Sequence, residues 1–120
     1  MNNFKELKIW HKSVELAVKV YQETKQFPNE EVYGLTSQIR KSVVSVASNI
    51  AEGAGRNSRR DFYNFLGISN GSICELETQL IIAQRVNFLN ETVLSSLQEQ
   101  IVEIQKMNWS LKKSLVVTKD

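Results

Sequence analysis

Residues 58–90, SRRDFYNFLGISNGSICELETQLIIAQRVNFLN, decide the fold of this chain. Apolar and small residues recur in this stretch at alternating intervals of four and three, which keeps them on one face of a long α-helix. The members of this stripe are Phe62, Leu66, Ser69, Ile73, Leu76, Leu80 and Ala83. A single apolar face of this length must be covered by other elements. The stretch therefore predicts an amphipathic helix inside a larger helical domain.

The ends of this helix are marked by residues that suit helix caps. Ser58 and Asp61 form a capping-box pattern, in which a hydroxyl and a carboxylate satisfy free amides of the first turn. Asn87 suits a left-handed residue that ends the helix. Asn90 then has the side chain to cap a following helix. We expect one helix to begin at Ser58 and the next to begin at Asn90.

Three further segments have near-heptad stripes. The stripe before Pro28, which we expect to stop the first helix, contains Leu7, Trp10, Val14, Ala17, Tyr21 and Thr24. The stripe after Gly34 contains Leu35, Ile39, Val43, Val46 and Ile50. The last stripe contains Leu94, Leu97, Ile101, Ile104, Asn108, Leu111 and Leu115. Gly53 and Gly55 suit a left-handed cap at the end of the second helix.

Four amphipathic helices with short connections make one fold the natural expectation. Neighbouring helices should run antiparallel, which gives an all-α, up-down-up-down four-helix bundle with small crossing angles. The chain has 120 residues, of which 42% are hydrophobic and 23% are charged. That length and composition suit one globular domain over residues 1–120. We therefore predict a single antiparallel four-helix bundle.

The residue inventory argues against most catalytic chemistry. The chain has one cysteine, Cys74, and one histidine, His11, so it lacks the residues for a disulfide framework, a cysteine zinc site or a di-iron bundle. We expect a non-enzymatic protein without metal or cofactor, with Cys74 packed as a small apolar residue. A phosphorelay role for His11 stays open. No apolar run reaches 18 residues, which favours a cytoplasmic protein without a membrane span.

Five residues are predicted to act in helix packing. Gly67 and Gly71, four residues apart, favour the close approach of another helix, with Ala47, Ser48 and Ala51 as candidate contacts. Arg40 and Glu75 are expected to pair across helices 2 and 3 and to fix their register. Asn49 is expected to donate a hydrogen bond between helices. No strand precedes the glycines, which argues against a nucleotide-binding glycine motif.

Antiparallel topology divides the charges unequally between the two ends of the bundle. The end with the start of helix 1, the helix 2–3 turn and the end of helix 4 has ten basic and five acidic residues, whereas the opposite end has five basic and eight acidic residues. A basic end suits phosphate binding, although solvated surface lysines explain the same pattern. The residues that we expect to contact nucleic acid are Lys12, Arg56, Arg59, Arg60, Lys112 and Lys113.

The middle of the chain has a series of short motifs, namely Gly34-Leu35, Gln38-Ile39-Arg40-Lys41, Ser45, Asn49-Ile50-Ala51-Glu52-Gly53, Arg56, Ser58, Phe62, Phe65-Leu66, Gly71-Ser72 and Glu75-Leu76-Glu77-Thr78-Gln79-Leu80. In order and spacing, these motifs resemble those of a known family, the four-helix bundle proteins linked to 23S rRNA intervening sequences. The resemblance extends from about Phe4 to Leu89.

This resemblance implies a cytoplasmic bacterial protein that assembles as a homopentameric ring. Relatives include the accessory variability determinant of diversity-generating retroelements, which binds nucleic acid and a reverse transcriptase. A ring would repeat the basic end around one axis, and linked sites raise avidity without new contacts. The combined prediction is a protein that binds structured RNA or an RNA–DNA hybrid through phosphates. The alternative is a scaffold that binds only protein, either itself or a polymerase.

Overall fold

The computed structural model describes residues 3–116, and all regular structure in that range is helical. The four long helices are α1 (Lys8–Glu23), α2 (Leu35–Ala54), α3 (Arg59–Arg85) and α4 (Glu91–Leu115). Short 3₁₀ turns at Phe4–Glu6 and Asn29–Glu31 precede α1 and α2. The predicted all-α four-helix fold is confirmed.

The helices pack as the corners of a square. Each helix contacts its neighbours in sequence, and α4 returns to contact α1. The described residues measure 53 × 22 × 20 Å along their principal axes, so the bundle is long and narrow. Because consecutive helices are antiparallel, the start of α1, the α2–α3 turn and the end of α4 lie at the same end.

The core consists of one buried stripe from each helix. Side chains with no exposed surface include Leu16, Val20, Ile39, Ile50, Leu66, Ile73, Leu76, Leu80, Leu97, Ile101 and Ile104. Burial of one such side chain contributes about 1.5–3 kcal/mol relative to leaving it exposed. The stripes predicted for the second, third and fourth helices supply most of these residues, and apolar burial along the whole bundle therefore holds the four helices together.

The first helix turns a different face inward from the one that its sequence pattern predicts. Its buried residues are Ile9, Ser13, Leu16 and Val20, whereas the predicted stripe lies one residue further along the chain. One residue corresponds to about 100° of rotation around a helix. The polar residue Ser13 interrupts the apolar pattern of the buried stripe, so the sequence does not reveal that stripe. Ser13 can be buried because its hydroxyl donates to the carbonyl of Ile9 at 2.8 Å. Most of the predicted stripe instead lines an open groove between α1 and α2.

The Ser58 half of the predicted capping box, the cap at Asn90 and the left-handed residue at Asn87 are confirmed, whereas the Asp61 half of the box and the left-handed glycine cap of α2 are not found among the described residues. The Ser58 hydroxyl accepts from the Asp61 amide at 3.0 Å, and Asn90 Oδ1 accepts from the Val93 amide at 2.8 Å. Asn87 is left-handed, with φ of 69°. Gly55 has φ of −79°, and no glycine has positive φ. The end of α2 continues as a right-handed turn because the Arg56 amide bonds back to the carbonyl of Gly53.

The predicted close approach at Gly67 and Gly71 is also wrong for contacts within the chain. A Cβ atom at Gly71 would meet nothing within 4 Å, and one at Gly67 would meet only the flexible end of Lys112 at 3.7 Å. The residues predicted to contact these glycines, Ala47, Ser48 and Ala51, instead line the groove between α1 and α2.

The close approach occurs at Gly53 instead. A Cβ atom there would lie 2.6 Å from Cβ of Phe65 and 3.1 Å from Cδ1 of Phe62. Real Cβ atoms do not come this close to other heavy atoms, so α2 and α3 fit together at this level only when residue 53 lacks a side chain.

Alanine substitutions at two glycines test this contact. We expect Gly53→Ala to lower the free energy of unfolding by about 1–3 kcal/mol, because the added methyl group overpacks the α2–α3 contact. Gly71→Ala is the matched control and should raise the free energy of unfolding by up to about 1 kcal/mol, through helix propensity alone. Urea unfolding followed by circular dichroism measures both values. A Gly53→Ala variant as stable as the wild type would contradict the packing described here.

Candidate nucleic-acid interface

The turn between α2 and α3 positions three arginines. Gly53 brings the two helices together just before the turn, and the cap at Ser58 starts α3 immediately after it. Arg56 pairs with Glu52 at 2.9 Å, and its guanidinium lies 4.9 Å from the centre of the Phe65 ring. Arg56 is thus held next to the Phe65 ring, with part of its charge offset by Glu52.

The end of α4 joins the same surface. Arg59 donates to the carbonyl of Ser114 at 3.3 Å, which links the first turn of α3 to the last turn of α4. Lys112 Nζ lies 4.5 Å from the centre of the Tyr63 ring, again across the two helices. Arg60 and Lys113 are exposed beside these contacts, on the same end turns. The structure therefore brings Arg59, Arg60, Lys112 and Lys113 to one end, with Arg56 on the adjoining turn. We call these five residues the basic end.

Lys12 lies apart from the basic end. Its Nζ atom is 3.6 Å from Oε2 of Glu103, and its side chain is 34% exposed. Glu103 precedes Lys112 by nine residues, which corresponds to about 14 Å along α4. Lys12 is therefore displaced along the bundle, and Glu103 offsets its charge. Lys119 and Asp120, which belong to the predicted charge pattern of this end, lie outside the described residues.

Aromatic rings accompany three of the five cations. The sequence marks Tyr63, Phe65 and Trp109 as candidates for base stacking or subunit contacts, but it did not lead us to predict their pairing with cations. Besides the pairs of Arg56 and Lys112, the Lys113 ammonium lies 4.4 Å from the ring centre of Trp109. Trp109 is 62% exposed, so one large ring is open to solvent next to a cation. The spacing of Trp109 and Lys113, one helical turn apart, was a readable signal for this pair. Cations attract phosphates, and an exposed ring offers a stacking surface for an unpaired base.

The predicted Arg40–Glu75 ion pair does not form. Arg40 Nε donates to Oγ1 of Thr24 at 3.0 Å, and one terminal nitrogen donates to the carbonyl of Tyr21 at 3.3 Å. Arg40 thus caps the C-terminal end of α1, where cations are favoured. Glu75 accepts a long hydrogen bond from Ser42 at 3.4 Å. Since residues 40 and 42 are about 200° apart around α2, the helix directs one towards α1 and the other towards α3.

Asn49 also bonds differently from the prediction. Its amide nitrogen donates to the carbonyl and the hydroxyl of Ser45, both within α2, at 2.8 and 2.9 Å. The hydrogen bond between helices is made by Ser45, whose hydroxyl lies 2.9 Å from that of Ser72 on α3. The side chain of Asn49 lacks a partner on α3 and instead orients Ser45 for that contact.

The remaining candidates are the possible metal ligands, Cys74 and His11. Within residues 3–116, no group of three or more metal-ligating side chains is found. Cys74 is exposed, so the prediction that it packs as a small apolar residue is wrong. His11 Nε2 lies 2.6 Å from the carbonyl of Lys5, at the surface. None of the described helices is long and apolar enough to cross a membrane.

Comparisons with known proteins agree with the motifs. A family model for 23S rRNA-intervening sequence proteins matches residues 5–110. The fold is similar to a crystal structure from Bacteroides thetaiotaomicron VPI-5482 of a protein with unknown function from the S23 ribosomal protein family. That similarity has a TM-score of 0.80 and 30% sequence identity, over 88% of this chain and 98% of the other. No curated protein sequence gives a significant match. With the family model spanning nearly all of the bundle, the chain belongs to the 23S rRNA-intervening sequence protein family.

Proposed function

We propose that the basic end binds structured RNA through phosphate contacts, with little readout of base identity. The observation that supports this proposal is the contact between the first turn of α3 and the last turn of α4, since these two turns carry Arg59, Arg60, Lys112 and Lys113. The family is named for an intervening sequence of ribosomal RNA, and this name supports RNA as the ligand. We propose that the protein meets this RNA in the cytoplasm. An RNA–DNA hybrid offers similar backbone chemistry and is the second ligand to test.

The cations of this surface differ in how freely they can reach a phosphate. Arg56 forms an ion pair with Glu52, and one N–H group of Arg59 donates to the carbonyl of Ser114. Arg60 and Lys113 are exposed and have no carboxylate partner within residues 3–116. Exposed cations bind phosphates by releasing counterions, so their contribution falls as the salt concentration rises. Trp109 beside Lys113 adds stacking where the RNA has an unpaired base.

A single copy of this surface carries too few charges for tight binding at physiological salt. Our proposal therefore includes a homo-oligomer, a pentameric ring by the family resemblance, that repeats the basic end around one axis. In such a ring, a second contact becomes intramolecular, and avidity exceeds the affinity of one copy by up to about 10²–10⁴-fold. Under this proposal the protein acts as a non-enzymatic RNA clamp.

Charge reversal tests the basic end. We expect the triple variant Arg56→Glu, Arg59→Glu and Arg60→Glu to abolish RNA binding measured by fluorescence anisotropy, since three phosphate-binding groups become repulsive. The melting temperature should change little, because glutamates at positions 59 and 60 are favoured by the dipole of α3, and the Arg56–Glu52 pair that is lost is a solvent-exposed one. Reversal of Lys19, Lys25 and Arg85 at the other end gives the same net charge and should retain binding. An equal loss of RNA affinity in the two variants would mean that binding depends on net charge alone, which would contradict a specific role for the basic end.

Salt dependence measures the number of phosphate contacts. For the wild type, the logarithm of the binding constant should fall linearly with the logarithm of the salt concentration. The single variant Lys113→Gln should reduce the magnitude of this slope by about one, because one contact is lost uniformly across RNA sequences. Lys25→Gln, which removes a cation at the opposite end, should leave the slope unchanged. A wild-type affinity that is insensitive to salt would contradict a phosphate-binding surface.

A second candidate function is that of a protein-binding scaffold, and one observation favours it. The groove between α1 and α2, with a volume of about 660 Å³, is lined mainly by apolar side chains, including Trp10, Val14, Val18 and Val44. Val18 is 53% exposed and Val44 is 43% exposed. A helix that has apolar residues on both its inner and its outer face suits an intermolecular contact. We propose that a second copy of this chain occupies the groove. A reverse transcriptase is the alternative partner for the same groove.

Polar substitutions in the groove test self-association. The double variant Val18→Glu and Val44→Glu should convert the oligomer into monomers in sedimentation velocity, because two charges would have to be buried in an apolar contact. Val102→Glu, at a valine of α4 that is 46% exposed and outside the groove, is the control and should keep the wild-type assembly. An unchanged sedimentation coefficient for the double variant would remove the groove from the interface.

A further inference from the structure

A polar pocket lies on the seam between α2 and α3, away from the basic end and from the α1–α2 groove. Its volume is about 330 Å³, within the size range of small-ligand sites. The residues that line it are all polar or charged: Gln38, Lys41, Ser42, Ser45, Glu75 and Gln79. Ser42 and Gln79 are buried, whereas the others are partly or fully exposed. The pocket thus has a polar floor and a charged rim.

Gln79 supplies the observation that points to a ligand. The residue is only 9% exposed. Its Oε1 atom accepts from the Ser42 hydroxyl at 3.0 Å, but its Nε2 atom donates to no group within residues 3–116. This nitrogen is not sealed inside the protein, and its side chain lines the pocket. The N–H donors of a nearly buried amide therefore open into the pocket, where a ligand can supply the acceptor that the protein lacks.

The Glu75 carboxylate is also available to a ligand. Among the described residues, its hydrogen-bond donor is the Ser42 hydroxyl, at 3.4 Å. A hydroxyl has a single proton, and the shorter bond from Ser42 to Gln79 competes for it. Glu75 forms no ion pair within residues 3–116. One carboxylate at the rim of the pocket is thus able to accept hydrogen bonds from a bound molecule.

Lys41 places the opposite charge on the same rim. It is exposed, and it forms no ion pair with Glu75 or with any other carboxylate of the described residues. Two opposite charges that line one pocket without pairing suit a ligand that carries both signs, since such a ligand is attracted at each end. One cation beside one carboxylate is poorly suited to a phosphate, and a lining without aromatic rings is poorly suited to a stacked base.

The sequence motifs converge on this pocket. Nearly all of its lining belongs to the motifs by which the chain resembles its family, namely Gln38, Lys41, Ser45, Glu75 and Gln79. Of the basic end, only Arg56 belongs to those motifs. RNA binding at the basic end therefore leaves most of these motif residues without a role, and the fold brings five of them to one place.

We propose that this pocket binds a small zwitterion of the α-amino acid class. The ammonium group of the ligand donates to Glu75, and its carboxylate accepts from Lys41 and from Nε2 of Gln79. The side-chain amide of Gln38, which also lines the pocket, favours a ligand with a polar side chain. The inference goes beyond RNA binding and does not depend on it, because the pocket shares no residue with the basic end.

An NMR titration of the full chain tests the charge chemistry of the pocket. Glycine, the smallest zwitterion of this class, should shift the side-chain amide signals of Gln79 at millimolar concentrations. Acetate and methylammonium each carry one of the two charges and should bind at least about tenfold more weakly than glycine. L-Glutamine should bind more tightly than glycine because its side chain can bond to Gln38, whereas L-leucine should not.

Single variants separate the two charged contacts. Lys41→Gln and Glu75→Gln should each weaken glycine binding about tenfold, since each removes a charge-assisted hydrogen bond. Gln79→Leu, of similar size, should weaken it as well, and its melting temperature shows whether the fold is retained. Lys25→Gln and Glu99→Gln, at exposed residues outside the pocket, are the matched controls and should bind glycine like the wild type.

Three results would each overturn the proposal. The first is a set of Gln79 signals that shift with neither glycine nor L-glutamine. The second is an affinity for acetate equal to that for glycine, which would mean that the ammonium group is not recognised. The third is an unchanged glycine affinity in Glu75→Gln. RNA binding by the basic end, followed by fluorescence anisotropy, would survive all three, so its failure and the failure of this pocket are separate outcomes.

Discussion

The contact between α2 and α3 at Gly53 is the constraint on which the rest of the bundle depends. A Cβ atom at this position would lie 2.6 Å from that of Phe65, so the two helices approach as closely as backbone and side chain allow. Further along the seam, the Ser69 hydroxyl donates to the carbonyl of Val46 at 2.8 Å, and Ser45 meets Ser72. Small polar residues thus replace large apolar ones where the helices are closest. The short turn after Gly53 then leaves Arg56 and Arg59 little freedom of position.

The register of α4 is set by one buried amide. Asn108 is 2% exposed, and its Nδ2 atom donates to the carbonyl of Leu66 on α3 at 2.9 Å. Lys112 lies one turn after Asn108 on α4, and Tyr63 lies one turn before Leu66 on α3. The Lys112 ammonium contacts the Tyr63 ring there. A satisfied buried polar group favours one register over its alternatives, because any slip would leave the side-chain amide of Asn108 buried without a partner. The geometry of the basic end therefore follows from two internal contacts, one at Gly53 and one at Asn108.

Sequence patterns predicted the number of helices, three of the caps and the end at which the arginines gather, because periodicity and capping are local properties. They failed where the outcome depended on rotation about a helix axis. The outer stripe of α1 was predicted to be the buried one. Arg40 was predicted to pair with Glu75 on α3, whereas it caps the end of α1. Spacing drew attention to Gly67 and Gly71, yet Gly53 continues the buried series of Val46 and Ile50. Pairings between side chains and aromatic rings depend on rotamers, which a sequence does not specify.

The end turns of α3 and α4 form a broad exposed cationic surface next to the ring of Trp109. The central claim concerns the broad surface. Multi-angle light scattering of the protein with mixed cellular RNA, at low and at physiological salt, tests it most directly. The account predicts an oligomer whose mass increases with RNA at low salt and returns to that of the free oligomer as the salt concentration rises. A mass that does not change with RNA at low salt would contradict it.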